Sequence, residues 1–69
     1  MVRMYKEPPV KEGDELELDC ISLGQKGDGV FRHEGFVIMC PNASVGLTYR
    51  VRVTKVLSNL GFGEIIEEA

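Results

Sequence analysis

The sequence has few of the residues on which enzyme and metal chemistry depends. It contains one histidine, two cysteines and no tryptophan among 69 residues. Cys20 and Cys40 each lie within an apolar run and belong to no CxxC pair, and His33 has no predictable second base or nucleophile beside it. We therefore expect two buried, reduced thiols, no metal, no cofactor and no enzymatic activity.

Long apolar segments are also missing. No run approaches the roughly 20 residues of a membrane-spanning helix, and the opening MVRMYKEPP has no apolar signal-peptide core. We expect a cytoplasmic protein with no membrane association. Pro8 and Pro9 are incompatible with a helix interior. We place an N-terminal extension at residues 1–9 and a single domain at residues 10–69, since a chain of this length supports one domain at most.

Helical periodicity is absent as well, and no stretch repeats another. The chain instead alternates short apolar runs with Gly, Pro and Asn turn signals, and the glycines of GQKGDG precede no helix that could bind a phosphate. Residues 30–40 read as a hairpin joined at His33-Glu34-Gly35, with Gly35 at a positive φ. Further strands are expected at residues 15–23, at 49–57 and after a turn at Ser58-Asn59. The prediction is an all-β fold, a small closed five-stranded OB-like β-barrel.

The formal net charge is −3, and the charges are segregated along the chain. Residues 12–19 carry five acids, residues 64–69 carry three, and residues 20–63 carry five bases against two acids. A basic centre bracketed by acidic ends could present a local positive surface. The acids of the first strand read as a solvated face or, alternatively, as a docking surface for a basic partner protein.

The basic centre also holds most of the aromatic residues. Proteins bind single-stranded nucleic acid by stacking bases on aromatic rings and by placing cations along the phosphates. The candidate RNA-binding residues share this chemistry and lie on neighbouring predicted strands: Lys26, Phe31, Arg32, His33, Phe36, Arg50, Arg52, Lys55 and Phe62.

Each aromatic candidate has an alternative place in the core. Strand alternation leaves Phe31 and Phe62 equally suited to the core or to stacking, and it favours an exposed Phe36. Tyr49 shares the apolar face of its strand and is predicted to be buried with a hydrogen-bonded hydroxyl. Arg50 and Arg52 project to the same side, where they contact phosphate or form an ordinary charged strand face.

The order of several short motifs resembles the TRAM domain family. The similarity runs over residues 10–67, from VxxGD through GDGV, GFVIMCPNASVG and YRVRVTKV to FGEIIE. The resemblance implies an OB-like barrel that binds RNA, with tRNA and rRNA as candidates. In larger proteins this domain is attached to RNA-modifying enzymes. A chain that is little more than the domain resembles the free-standing archaeal TRAM proteins, which are regarded as RNA chaperones with a cold-shock-like role.

The family pattern carries over to particular positions of this chain. It implies a structural turn at Gly27, Asp28 and Gly29, and the segment IMCPNAS replaces the usual FVPG. It implies an RNA face made of Arg32, Phe36, Arg50, Arg52, Lys55 and Phe62. We expect a monomeric RNA chaperone that holds single-stranded or weakly paired RNA. The alternatives are an RNA-delivery subunit for a modification enzyme and a protein-interaction module.

Overall fold

A computed structural model describes residues 8–69 of the chain. Residues 1–7, most of the predicted N-terminal extension, lie outside the described part. No helix in residues 8–69 is long and apolar enough to cross a bilayer. The described residues form five strands: β1 Glu15–Leu23, β2 Gly29–His33, β3 Phe36–Cys40, β4 Thr48–Val56 and β5 Leu60–Glu68.

The five strands close into one barrel in the order β1-β2-β3-β5-β4, with β4 returning to β1. The β3–β5 pair is parallel and the other four pairs are antiparallel. Closure pairs every strand on both sides and leaves no sheet edge exposed. The predicted all-β barrel of five strands is confirmed, and the strands begin and end within a few residues of their predicted limits.

The barrel interior is filled by alternate residues of every strand and by Val10, which precedes β1. Tyr49 is 6% exposed, and its hydroxyl oxygen accepts a hydrogen bond of 2.9 Å from the backbone N–H of Ser44. Both predictions for this residue are confirmed. Cys20 and Cys40 are free and buried, also as predicted. The buried core consists of Val10, Leu18, Cys20, Phe31, Phe36, Ile38, Cys40, Tyr49, Val51 and Val53.

The β2–β3 hairpin determines which residues of both strands face inward. Its two-residue turn has Glu34 at φ 53° and Gly35 at φ 81°, the arrangement of a type I′ turn. The predicted turn and the positive φ of Gly35 are confirmed. The turn pairs His33 with Phe36, and two positions further into the sheet it pairs Phe31 with Ile38.

Candidate nucleic-acid interface

Two of the aromatic candidates lie in the core. Phe31 is fully buried and meets Tyr49 edge to face, with ring centroids 6.1 Å apart. Gly29 faces inward beside Phe31, where an added Cβ would collide with Ala43 Cβ at 2.5 Å and would lie 3.2 Å from Phe31 Cε1. Strand alternation then turns Val30 outward and Phe31 inward. The assignment of Phe31 to an RNA-stacking surface is therefore wrong.

Phe36 also faces inward and is 7% exposed, so the favoured prediction of an exposed ring is wrong. The hairpin register gives the inward positions of β3 to Phe36, Ile38 and Cys40. Space for the ring comes from Gly61 on β5, where an added Cβ would lie 3.2 Å from Phe36 Cε2. Phe36 cannot offer its ring to a base while the barrel is folded.

Phe62 is the one exposed aromatic ring in residues 8–69, at 37% exposure. Its neighbours Gly61 and Gly63 face the interior, so Phe62 between them points outward. An added Cβ at Gly63 would lie 2.8 Å from the carbonyl oxygen of Arg52 and 2.9 Å from Val51 Cγ1. The close approach of β4 to β5 requires glycine here, and the strand alternation presents the Phe62 ring to solvent.

An apolar surface surrounds Phe62 on three adjacent strands. In one cross-strand row, Val30 on β2 pairs with Met39 on β3, which pairs with Phe62 on β5. In the next row, Val37 on β3 pairs with Leu60 on β5. Phe62 is exposed, the other four residues are partly exposed, and all five alternate with buried residues. We call them the apolar face: Val30, Val37, Met39, Leu60 and Phe62.

Cations lie at both sides of the apolar face. Lys55 on β4 is the cross-strand partner of Phe62 and continues the first row, whereas Arg32 on β2 is the partner of Val37 and continues the second. Both are exposed. The first row from Lys55 to Val30 crosses three strand spacings, about 14 Å at about 4.8 Å each. Bases could therefore reach the apolar centre while phosphates meet cations at either side.

The loop of residues 24–28 contacts the apolar face at Met39. It is held by hydrogen bonds from Gly24 N–H to the Asp28 carbonyl oxygen, 2.8 Å, and from Gly27 N–H to the Gly24 carbonyl oxygen, 3.0 Å. Met39 extends to the loop, since an added Cβ at Gly24 would lie only 2.9 Å from its Cε. This contact brings the loop that carries the exposed Lys26 next to the apolar face.

His33 does not share the outward surface of Arg32. It occupies the inward-facing side of β2 at the end of the barrel, opposite Phe36. Its Nε2 lies 3.5 Å from Glu34 Oε2, and its side chain is 29% exposed. His33 is therefore separated from the apolar face by strand alternation.

The predicted positive surface at Arg50 and Arg52 is neutralised by carboxylates. Arg50 Nε lies 3.6 Å from Glu67 Oε2, whereas Arg52 bridges two strands, with Nη2 3.1 Å from Glu15 Oε2 and Nη1 3.3 Å from Glu64 Oε2. Both side chains face solvent, as predicted, but neither is free. We call Arg50, Arg52, Glu15, Glu64 and Glu67 the acid–arginine network.

Four residues of the apolar face were missed at the sequence level: Val30, Val37, Met39 and Leu60. The sequence signal for an outward apolar surface was the uninterrupted apolar run FVIMC in β3. A strand with one face in the core and one in water usually alternates apolar and polar residues. An unbroken apolar strand in so small a barrel indicates that its outward face is apolar as well.

A small OB-like barrel with an outward apolar and aromatic surface flanked by cations has the features of a nucleic-acid-binding module. The sequence matches the TRAM domain family over residues 9–66. The chain belongs to the TRAM domain family, and that membership implies RNA binding.

Relatives of the chain include one of similar size and several much longer proteins. An uncharacterized protein of Methanocaldococcus jannaschii is 41% identical over 84% of this chain and 75% of that protein. A ribosomal RNA large subunit methyltransferase E of Haloquadratum walsbyi is 42% identical over 86% of this chain. A translation initiation factor 2 subunit beta of Methanothrix thermoacetophila is 38% identical over 84% of it. The chain spans only 23% of that methyltransferase and 28% of that factor.

A solved structure has the same fold. The solution structure of a conserved protein of Methanococcus maripaludis aligns with a TM-score of 0.83 and 38% sequence identity. The alignment covers 93% of this chain and 91% of that one. The similarity therefore extends over nearly the whole of both chains.

Proposed function

We propose that the protein is a non-enzymatic RNA chaperone that holds single-stranded or weakly paired RNA on the apolar face. It acts as a monomer in the cytoplasm, and rRNA or tRNA segments are candidate ligands. The observation that carries the proposal is the exposed Phe62 ring within an apolar surface that has Arg32 and Lys55 at its sides. Stacking accepts any base, so sequence preference is low.

The small number of cations at this surface favours transient binding. Three cations, Lys26, Arg32 and Lys55, have no carboxylate within 4 Å in residues 8–69 and lie on or beside the apolar face. Each phosphate contact to a single strand adds about 0.7 to the slope of log affinity on log salt. A chaperone has to release RNA as readily as it binds, and a site with few phosphate contacts suits that requirement.

The test is fluorescence anisotropy of a labelled unstructured RNA against the wild type and three variants. Phe62→Ala removes the stacking ring and is expected to weaken binding by about 5- to 150-fold, the equivalent of about 1–3 kcal/mol. Arg32→Gln with Lys55→Gln is expected to flatten the salt slope by about 1.4. The matched control is Ile66→Ala, because Ile66 lies on the same strand with nearly the same exposure, 38% against 37%.

Two outcomes would contradict the proposal. Absence of RNA binding by the wild type at low salt would remove RNA as the ligand. Equal effects of Phe62→Ala and Ile66→Ala would show that RNA does not use the apolar face.

Chaperone action is measured separately, as accelerated opening of an RNA hairpin labelled with a fluorophore and a quencher, and Phe62→Ala should slow that opening.

A second candidate function is delivery of RNA to a separate modification enzyme. The similarity to the methyltransferase segment favours it, because that segment is part of a larger protein. Co-purification of an RNA-modifying enzyme with the tagged chain, together with loss of that enzyme's activity when Phe62 is replaced, would select this candidate over a general chaperone.

A further inference from the structure

The acid–arginine network lies directly beside the apolar face. Glu64 is two residues beyond Phe62 on the outward side of β5, about 6.6 Å along the strand. Its cross-strand partner is Arg52, and Glu67 pairs with Arg50 in the same way. This separation is shorter than the Debye length of about 8 Å at physiological salt, so a phosphate over β5 would experience the Glu64 charge.

The network leaves little positive charge on β4. Arg50 and Arg52 are each opposite a glutamate of β1, Glu17 and Glu15, as well as a glutamate of β5. Two arginines therefore lie among four glutamates, three of which form ion pairs with them, and the region is net negative. Without those carboxylates, Arg50, Arg52 and Lys55 would form a continuous cationic row along β4.

Paired RNA and unpaired RNA make different demands on such a surface. An unpaired strand can insert bases among Val37, Met39 and Phe62 and needs few phosphate contacts. In a duplex the bases are stacked and paired, so a protein must bind it mainly through phosphates and 2′-hydroxyls. A duplex seated on the apolar face would need further cations on β4 besides Lys55, and it would instead meet the network there.

We propose that Glu64 and Glu67 are specificity-determining residues that restrict the RNA site to unpaired strands. Glu64 pairs with Arg52 and adds negative charge beside Phe62, and Glu67 pairs with Arg50. The inference rests on the proposed RNA site on the apolar face. It adds a role for two carboxylates that do not themselves contact the bound strand.

The experiment compares a labelled oligouridine strand with a labelled RNA duplex of equal length. The wild type is expected to bind the strand and to bind the duplex much more weakly. In Glu64→Gln with Glu67→Gln, Arg50 loses its carboxylate partner and Arg52 keeps only Glu15. Duplex affinity should rise about tenfold, and the duplex salt slope should steepen by about 0.9 for Arg50, which is left without an ion-pair partner. Strand affinity should change less than about threefold.

The matched control is Glu15→Gln with Glu17→Gln, which changes the net charge equally and replaces the two glutamates of β1 that lie opposite the same arginines. These glutamates lie on β1, two strands away from β5, and Arg50 and Arg52 keep their β5 partners. The strand-to-duplex ratio of Kd values should change little. The single variant Glu67→Gln, which releases Arg50 alone, should give about half of the logarithmic change of the double variant.

Three results have separate meanings. If the wild type binds neither RNA, the proposed RNA site itself fails. If the wild type binds the duplex as tightly as the strand, the site does not discriminate and the inference fails. If the double variants on β5 and on β1 shift the strand-to-duplex ratio of Kd values equally, net charge alone is responsible. In that case the assignment to Glu64 and Glu67 is overturned as well. Circular dichroism confirms that each variant remains folded.

Discussion

At the scale of single residues, glycines decide which aromatic rings face outward. Gly29 and Gly61 occupy inward positions and leave the space that the Phe31 and Phe36 rings fill. Phe62 lies between two inward glycines and is exposed as a consequence. Phe31 and Phe36 therefore face the interior of the barrel, whereas Phe62 faces solvent.

Phe36 and Phe62 should respond differently to truncation. Phe36→Ala empties a core position and is expected to lower the free energy of unfolding by about 3–5 kcal/mol. Phe62→Ala on the surface should change it by less than about 0.5 kcal/mol. Urea unfolding measures both. A loss of RNA binding in Phe36→Ala would then follow from unfolding, whereas equal stability losses would refute the inward placement of Phe36.

Cys40 should make stability depend on alkaline pH. Burial raises the pKa of its thiol from 9.0 to about 12. The folded state holds this proton more tightly than the unfolded state. The protonated Cys40 thiol therefore makes its full contribution to stability below pH 9, and this contribution is lost as the pH rises from 9 towards 12. Melting temperatures of wild type and Cys40→Ala from pH 7 to 10.5 should converge above pH 9; a constant difference would contradict the raised pKa.

At the scale of elements, the β2–β3 hairpin contains a correctable strain. Glu34 has a positive φ of 53°, which Asn tolerates better than Glu, and Asn-Gly is a favoured type I′ pair. Glu34→Asn should raise the free energy of unfolding by about 0.5–1 kcal/mol, since the solvent-exposed contact with His33 contributes little. Gly35→Ala is the opposing control and should lower it. The urea midpoints of both variants measure these changes. A midpoint for Glu34→Asn below that of the wild type would contradict a strained φ at Glu34.

At the scale of the whole molecule, strand ladders and core packing hold the barrel closed, and the charges contribute little to closure. Arg52 connects β1 to β5 across β4, but its side chain and both glutamate partners are about half exposed. Exposed ion pairs of this kind contribute about 0–1 kcal/mol. Arg52→Gln should therefore lower the free energy of unfolding by no more than about 1 kcal/mol in urea titrations. A much larger loss would make the network a structural clamp.

Charge is arranged differently in the folded molecule and along the chain. The sequence places acids at both ends of the domain and bases in the middle. Barrel closure brings β1 and β5 to either side of β4, so Glu15, Glu64 and Glu67 meet the arginines. The basic centre is thereby divided into a neutralised part on β4 and cations that remain beside the apolar face.

The sequence by itself determined the five strands, the hairpin turn, the burial of Tyr49 and the family. These features follow from local signals: two-residue alternation, glycine and proline turns, and short motifs in order. Only the tertiary structure decided that Phe31 and Phe36 face inward, that Val37 and Met39 join Phe62, and that carboxylates neutralise Arg50 and Arg52. The hairpin register decides the placement of Phe31 and Phe36. The other two outcomes depend on the parallel β3–β5 register and on the pairing of β4 with both β1 and β5, which bring together residues that are distant along the chain.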